Sequence, residues 1–211
     1  MKKKWKTGIL LATLAIPVFI WLFLKYFGQN SFALPIYYPN GIDSLSDCTS
    51  GQQPHTLPSF SLRNTSGDTL TARDFDGEMM ISYFLPQKCT DSCELVLERL
   101  ASIQNMFSEQ EQLRIVVFGN EQYTPEDLLS LEKRFNAHPK LWNFVLGEGE
   151  AINQLKTCGF VLSSVPEHSL VVTDAKRRIR GYYQATDAEE VERLKGEIKI
   201  LDYMQDEAYH D

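Results

Sequence analysis

The chain has 211 residues, with 28 acidic and 21 basic side chains and a formal net charge of −7. Five of the basic residues are lysines within positions 1–25, where no acidic residue occurs, so 16 basic and 28 acidic residues remain beyond them, a net charge of −12. This acidic remainder argues against binding to nucleic acid or anionic lipid, whereas it suits solubility, a basic partner or the handling of cations. The part of the chain beyond residue 25 has the length of a single domain that is large enough to bury a hydrophobic core.

The N-terminal segment combines a basic start with a long apolar run. Four lysines between positions 2 and 6 precede the run from Gly8 to Phe27, which contains one charged residue, Lys25. A membrane span needs about 20 apolar residues, and Trp and Tyr at its ends suit interfacial anchoring. We predict an uncleaved transmembrane anchor over 1–28, with the N-terminus in the cytoplasm. A cleaved signal peptide is the alternative, although no convincing small-x-small cleavage site follows Leu24.

Beyond the anchor, little periodicity predicts a linker over 29–57, followed by a folded domain over 58–204 and an acidic tail over 205–211. Alternation around the turn at 64–67 predicts a β-hairpin at the start of the domain. Buried strands then alternate with helices, which is typical of an α/β sheet. The predicted elements in chain order are strands at 59–63, 68–71 and 79–85, a helix at 91–107, a strand at 113–118, a helix at 124–135, a strand at 142–146, a helix at 150–156, strands at 168–173 and 178–183, and a helix at 186–203.

Two cysteines, Cys89 and Cys93, follow the buried strand at 79–85 and begin the next helix. Cysteines at i and i+4 can place their sulfurs one helical turn apart on the same face, where they can hold a soft ion such as Cu(I) with a third ligand from elsewhere. They can also close as a disulfide if the first turn is irregular. Their position after the first strand of a βαβα and ββα order predicts a thioredoxin-like fold.

The other two cysteines, Cys48 and Cys158, also lie beyond the predicted anchor, in a compartment where disulfides persist. A structural disulfide between them would tie the linker to the domain. Two unrelated cysteines, one of them buried, are the alternative, because connectivity cannot be read from sequence. His55, His138 and His210 are predicted to lie on the solvated surface.

With the segment from Val165 to Asp174 added to these features, the chain resembles the Sco/SenC family. These are membrane-anchored, thioredoxin-like proteins that bind copper and help to assemble the dinuclear copper centre of cytochrome c oxidase. The likeness covers most of residues 32–203, including 174–183, which is similar to the family's strand, turn and strand after its histidine.

The resemblance implies that Cys89, Cys93 and His168 are ligands of copper, as Cu(I) or Cu(II), and that the two cysteines are also redox-active. It implies a metallochaperone with possible thiol–disulfide oxidoreductase activity. The implied partners are the copper-binding subunit of cytochrome c oxidase and a thioredoxin-like reductant. The implied location is the cell inner membrane, with the domain on the periplasmic side.

The residues themselves are consistent with this chemistry. Two thiolates and an imidazole accept Cu(I) in trigonal geometry and adapt to Cu(II) with an added ligand. The sequence departs from the family where prolines usually follow the cysteines, since this chain has Thr90 and Glu94, and where aspartate precedes the histidine, since this chain has Glu167. The absence of those prolines predicts a more flexible loop or an earlier start of the first helical turn.

Another interpretation is a membrane-tethered thiol–disulfide oxidoreductase that uses Cys89 and Cys93 without metal. Val165–Pro166 favours it, because thioredoxins place a cis-proline at such a position opposite their cysteines. A thiol peroxidase of related fold is disfavoured, since no Thr or Ser lies at a peroxiredoxin-like spacing before Cys89. The copper-binding assembly factor is the preferred hypothesis.

Overall fold

The computed structural model describes residues 2–27, 34–42, 48, 53–147 and 149–210, and only the backbone of 2–12, 24, 27 and 206–210. The chain divides into two compact units, Met1–Ala33 and Leu34–Asp211. The first unit contains helix α1, Lys2–Phe27. Among the residues described, no helix has both the length and the apolar character of a membrane span. The side chains of residues 1–12, which belong to the predicted anchor, lie outside the described part.

The second unit contains all of the predicted strands and helices of the domain. In chain order these are β1 Ser61–Asn64, β2 Thr69–Thr71, a 3-10 turn Ala72–Phe75, β3 Met79–Phe84, α2 Asp91–Met106, β4 Leu113–Gly119, α3 Pro125–Arg134, β5 Trp142–Leu146, α4 Gly149–Gln154, a π-helical turn Leu155–Gly159, β6 Ser169–Thr173, β7 Ile179–Gln184 and α5 Ala188–His210. Helix α5 extends beyond its predicted end at Tyr203, because the sequence after Gly196 contains no further Gly or Pro to stop it.

One seven-stranded sheet organises the unit, with the strand order β2-β1-β5-β4-β3-β6-β7. Strands β3, β4 and β5 are parallel, while β6 and β7 run antiparallel to their neighbours. The predicted hairpin is present as β1 and β2, and β1 joins the sheet antiparallel to β5. The predicted α/β class is therefore confirmed.

Alternating side chains of the central strands build a separate core on each face of the sheet. From β3, Met79, Ile81 and Tyr83 pack in one core with residues of α2, α3 and α5. Met80 packs in the other core with residues of α4 and the π-helical turn. This arrangement follows from the period of two along a strand. The cysteine pair Cys89 and Cys93 belongs to the first core.

Part of the segment predicted as a linker packs on the second core. Ile42 and Leu57 are buried there, and the structure joins Cys48 to Cys158 in a disulfide with a Cα–Cα distance of 5.4 Å. His55 was expected on the surface, and this expectation is wrong, because its ring is 1 % exposed. Its Nε2 lies 2.8 Å from the carbonyl oxygen of Gly159, next to that disulfide.

A buried ion pair fixes the first described residue of the second unit. Arg180, which is 4 % exposed, donates to a carboxylate oxygen of Asp174 at 3.1 Å and to the backbone oxygen of Leu34 at 2.6 Å. Arg178 donates to the same Asp174 carboxylate at 2.8 Å. The hairpin of β6 and β7 therefore holds the chain at Leu34.

Candidate functional site

The site is built where β3 ends and α2 begins. Cys89 lies in the connecting loop and Cys93 is the third residue of α2, and the two form a disulfide with a Cα–Cα distance of 5.1 Å. Thr90, between the loop and the helix, has an extended backbone. Since only Cys93 lies within the helix, the two cysteines are not held at the spacing of a regular helical turn and their sulfurs can meet.

The two sulfurs differ in their surroundings. Cys93 is completely buried, whereas Cys89 is half-buried at the edge of the same core. Both lie at the N-terminus of α2, where the helix dipole favours negative charge such as that of a thiolate. An incoming thiol or metal ion therefore reaches Cys89 first, with Cys93 behind it.

Glu94 occupies the position at which the resembled family carries its second proline. Its carboxylate accepts hydrogen bonds from both terminal nitrogens of Arg134, at 2.7 and 2.6 Å. This bidentate pair joins the start of α2 to the end of α3. Arg134 is exposed and Glu94 is partly exposed, so the pair contributes little to the free energy of unfolding.

His168 lies immediately before β6, with a backbone φ of 64°. This left-handed conformation is uncommon outside glycine and is concentrated at functional positions in proteins. Its carbonyl oxygen accepts from the backbone N–H of Ala185 at 3.0 Å, which fixes the residue at the end of the β6 and β7 pair. The side chain is partly exposed.

The imidazole of His168 is oriented by Tyr83 of β3. The Tyr83 hydroxyl lies 2.8 Å from Nδ1 of His168, and the two ring centroids are 6.4 Å apart. Burial raises the pKa of Tyr83, and the neighbouring Tyr123 and Glu167 raise it further, so the hydroxyl stays protonated. It donates to Nδ1, or accepts from it, according to the imidazole tautomer.

His168 and the loop that carries Cys89 share one cavity of about 620 Å³. Its lining includes His168 and Glu167, together with Lys88 and Thr90, which flank Cys89. The structure thus brings the three predicted ligands to one end of the sheet. The second predicted pair, Cys48 and Cys158, lies on the opposite face, in the second core.

The segment before His168 differs from what a thioredoxin would have. Ser169 donates to the backbone oxygen of Pro166 at 2.8 Å, and the amide of Gln184 donates to that of Glu167 at 3.0 Å. Among the described residues the one cis peptide bond is Gln53–Pro54. Val165–Pro166 is therefore trans, and the expected resemblance to the thioredoxin cis-proline is wrong. The loop is held by side-chain hydrogen bonds instead.

The donor set suits copper. Two cysteine sulfurs and an imidazole nitrogen are soft and borderline donors of the kind that select Cu(I). Within the described parts of the chain, no three His, Cys, Asp or Glu side chains are grouped as a metal site. In the disulfide each sulfur is bonded to the other, and only a thiolate binds metal. Copper binding at these residues therefore requires prior reduction.

Sequence reasoning missed three residues that shape the site. Tyr83 orients His168, and Asn120 and Tyr123 bind the backbone of the loop before Cys89. Tyr83 lies in a mostly apolar strand, in which its hydroxyl and that of Ser82 are the polar side-chain groups. Asn120 and Tyr123 follow directly after β4, and the carboxyl ends of adjacent parallel strands meet at the same edge of a sheet.

Solved structures match the second unit closely in architecture. A protein described as BsSco, a member of the Sco family of cytochrome c oxidase assembly proteins with a disulfide switch, matches with a TM-score of 0.61 and 16% identity over 70% of this chain and 93% of that one. ScoI of Bradyrhizobium japonicum with copper bound matches with a TM-score of 0.57 and 14% identity over 69% and 99%.

A third structure, the thioredoxin domain of a thiol–disulfide oxidoreductase from Bacteroides vulgatus, matches with a TM-score of 0.55 and 14% identity over 72% of this chain and 99% of that one. At these identities the matches establish the fold alone, which is thioredoxin-like.

Sequence comparison supplies the family. No curated protein sequence matches the chain. The family model for SCO1/SenC matches residues 49–160, which is more than half of the chain and includes Cys89 and Cys93 but ends before His168. The chain therefore belongs to the SCO1/SenC family.

Proposed function

We propose that this protein binds copper and supplies it to the dinuclear copper site of cytochrome c oxidase, or reduces the cysteines of that site, during assembly of the oxidase. The observation that carries the proposal is the meeting of Cys89, Cys93 and His168 at one end of the sheet, with His168 in the cavity that flanks Cys89. Family membership and the copper-bound structure of a family protein support it.

Copper is the cargo in this proposal, and the disulfide controls whether it can be loaded. Reduction by two electrons and two protons converts the Cys89–Cys93 disulfide into two thiols. Loss of the thiol protons then gives two thiolates, which together with the imidazole of His168 supply three donors for Cu(I). Release of Cu(I) to a partner with more donors leaves two thiolates, which take up two protons and restore the dithiol.

A second function, thiol–disulfide exchange, is favoured by the closed disulfide itself. In the reduced protein the thiolate of Cys89, the more accessible of the two, attacks a partner disulfide and releases one partner thiolate. The thiolate of Cys93 then attacks the Cys89 sulfur, which releases the second partner thiolate and restores the Cys89–Cys93 disulfide. The same residues thus serve both functions, and the partner determines which one operates. A thioredoxin-like reductant would regenerate the dithiol.

We further propose that residues 1–28 anchor the protein in the cell inner membrane with a single span, and that the domain lies on the periplasmic side. The lysines before the apolar run and the large apolar side chains exposed along α1, such as Leu14, Phe19 and Trp21, support this proposal. Washing membranes with alkaline carbonate tests it, because the full chain should stay with the membrane pellet.

Replacing His168 by alanine is expected to weaken Cu(I) binding by roughly 100-fold or more, because even loss of a partner outside the ligand set costs about 10- to 100-fold. Exchange of the Cys89–Cys93 disulfide should persist, since no sulfur is removed. Competition with a chromophoric Cu(I) chelator measures the affinity. His138→Ala is the matched control, because His138 is exposed and lines a different cavity. Undiminished copper binding by His168→Ala would remove this residue from the ligand set.

A further inference from the structure

The loop that carries Cys89 is held by side chains from the segment after β4. The amide of Asn120 donates to the backbone oxygens of Leu85 at 3.2 Å and Pro86 at 3.4 Å, and the hydroxyl of Tyr123 donates to that of Pro86 at 2.9 Å. The segment is itself a fixed turn, because the backbone N–H of Gln122 donates to the Asn120 side chain at 2.9 Å.

Tyr123 also lies close to the reactive cysteine. Its hydroxyl donates to the backbone oxygen of Pro86, three residues before Cys89. The Tyr123 ring and Cys89 also pack against the same core. We call the side chains of Asn120 and Tyr123 the loop clamp.

We propose that the loop clamp positions Cys89 beside Cys93 in the reduced protein and thereby stabilises their disulfide. The inference rests on the proposed function, because it concerns the same two cysteines. No proline directly follows either cysteine, since Thr90 follows Cys89 and Glu94 follows Cys93. The loop is restricted by the hydrogen bonds from Asn120 and Tyr123.

The physical effect of the clamp is entropic. When the disulfide is reduced, an unclamped loop can move the Cys89 sulfur away from Cys93, which is fixed in the core. Closing the disulfide again then costs the loop more conformational entropy than it does when the clamp is in place. With the clamp in place, the two thiols stay close and the disulfide is the favoured form. Loss of the clamp should therefore shift the equilibrium towards the dithiol.

The test measures the equilibrium in which two glutathione molecules reduce the disulfide to two thiols and become one glutathione disulfide. The full chain is equilibrated anaerobically with glutathione mixtures and alkylated, and the peptides containing Cys89 and Cys93 are quantified by mass spectrometry, so that Cys48–Cys158 does not contribute. Tyr123→Phe is expected to raise the constant for reduction about five- to tenfold. A tenfold rise corresponds to a potential about 30 mV higher.

The matched control is Tyr182→Phe. The Tyr182 hydroxyl also donates to a backbone oxygen at 2.9 Å, that of Phe160, but Tyr182 belongs to the core on the opposite face. This variant should keep the wild-type constant, while Asn120→Ala should shift it in the same direction as Tyr123→Phe. The inference would be overturned if Tyr123→Phe had the same equilibrium constant for reduction as the wild-type protein. It would also be overturned if Tyr182→Phe raised that constant as much as Tyr123→Phe. Wild-type protein that neither exchanges its disulfide nor binds copper would overturn the proposed function instead, whatever the variants do.

Discussion

Replacing Cys89 and Cys93 together by alanine is expected to abolish both copper binding and thiol–disulfide exchange. Copper affinity should fall by far more than 100-fold, since a single supporting residue outside a ligand set is worth about 10- to 100-fold and two of three ligands are lost here. Exchange should stop altogether, because no thiolate remains at the site to attack a disulfide. Cu(I) competition and reduction of a disulfide-bonded peptide measure the two activities.

The control for this prediction is the variant Cys48→Ala/Cys158→Ala, compared at a temperature where it is folded. Its cysteines lie on the opposite face of the sheet, so both activities should persist. Copper binding that survives the loss of Cys89 and Cys93 would show that the cargo is held elsewhere, and loss of binding in the control would show that the second disulfide takes part.

Removing the Cys48–Cys158 disulfide is expected to cause the largest loss of stability. The bond closes a loop with a sequence separation of 110 residues, for which the chain-entropy model predicts a loss of about 4 to 5 kcal/mol in the free energy of unfolding. It also attaches the buried segment around His55 to the π-helical turn. Denaturation with urea, on wild-type protein and on the Cys48→Ala/Cys158→Ala variant, measures the difference.

The Cys89–Cys93 bond is the internal comparison. It spans only four residues, so the same model assigns its closure roughly 2 kcal/mol. A loss below about 1 kcal/mol on removing Cys48–Cys158 would mean that this segment is ordered without its disulfide, against the expectation from the chain-entropy model.

The sequence predicted the elements of the sheet well because their apolar residues repeat with the period of two or 3.6 that each structure requires. Met79 to Leu85 is buried as expected except for the partly exposed Phe84, and the cysteine motif lies where β3 leads into α2. The thioredoxin-like order could be recognised because strands and helices alternate in the chain and the cysteine pair follows the strand at 79–85. These features depend on local sequence.

The features that could not be predicted depend on contacts between distant segments. His55 is polar and lies in a weakly periodic stretch, so nothing local indicated that it would be buried against Gly159. The hydrogen bonds of Tyr83 with His168 and of Tyr123 with Pro86 join residues 85 and 37 positions apart. The isomer of Val165–Pro166 was inferred from analogy with thioredoxins, and the trans bond shows that this analogy does not extend to the loop.

Binding of copper by the reduced cysteine pair and His168 as one site can be measured by anaerobic titration of the full chain with Cu(I). Two samples are compared, one with the Cys89–Cys93 disulfide closed and one with it reduced. We expect one tightly bound Cu(I) per chain in the reduced sample and none in the closed one. Tight binding of equal stoichiometry in both samples, or none in either, would contradict this expectation.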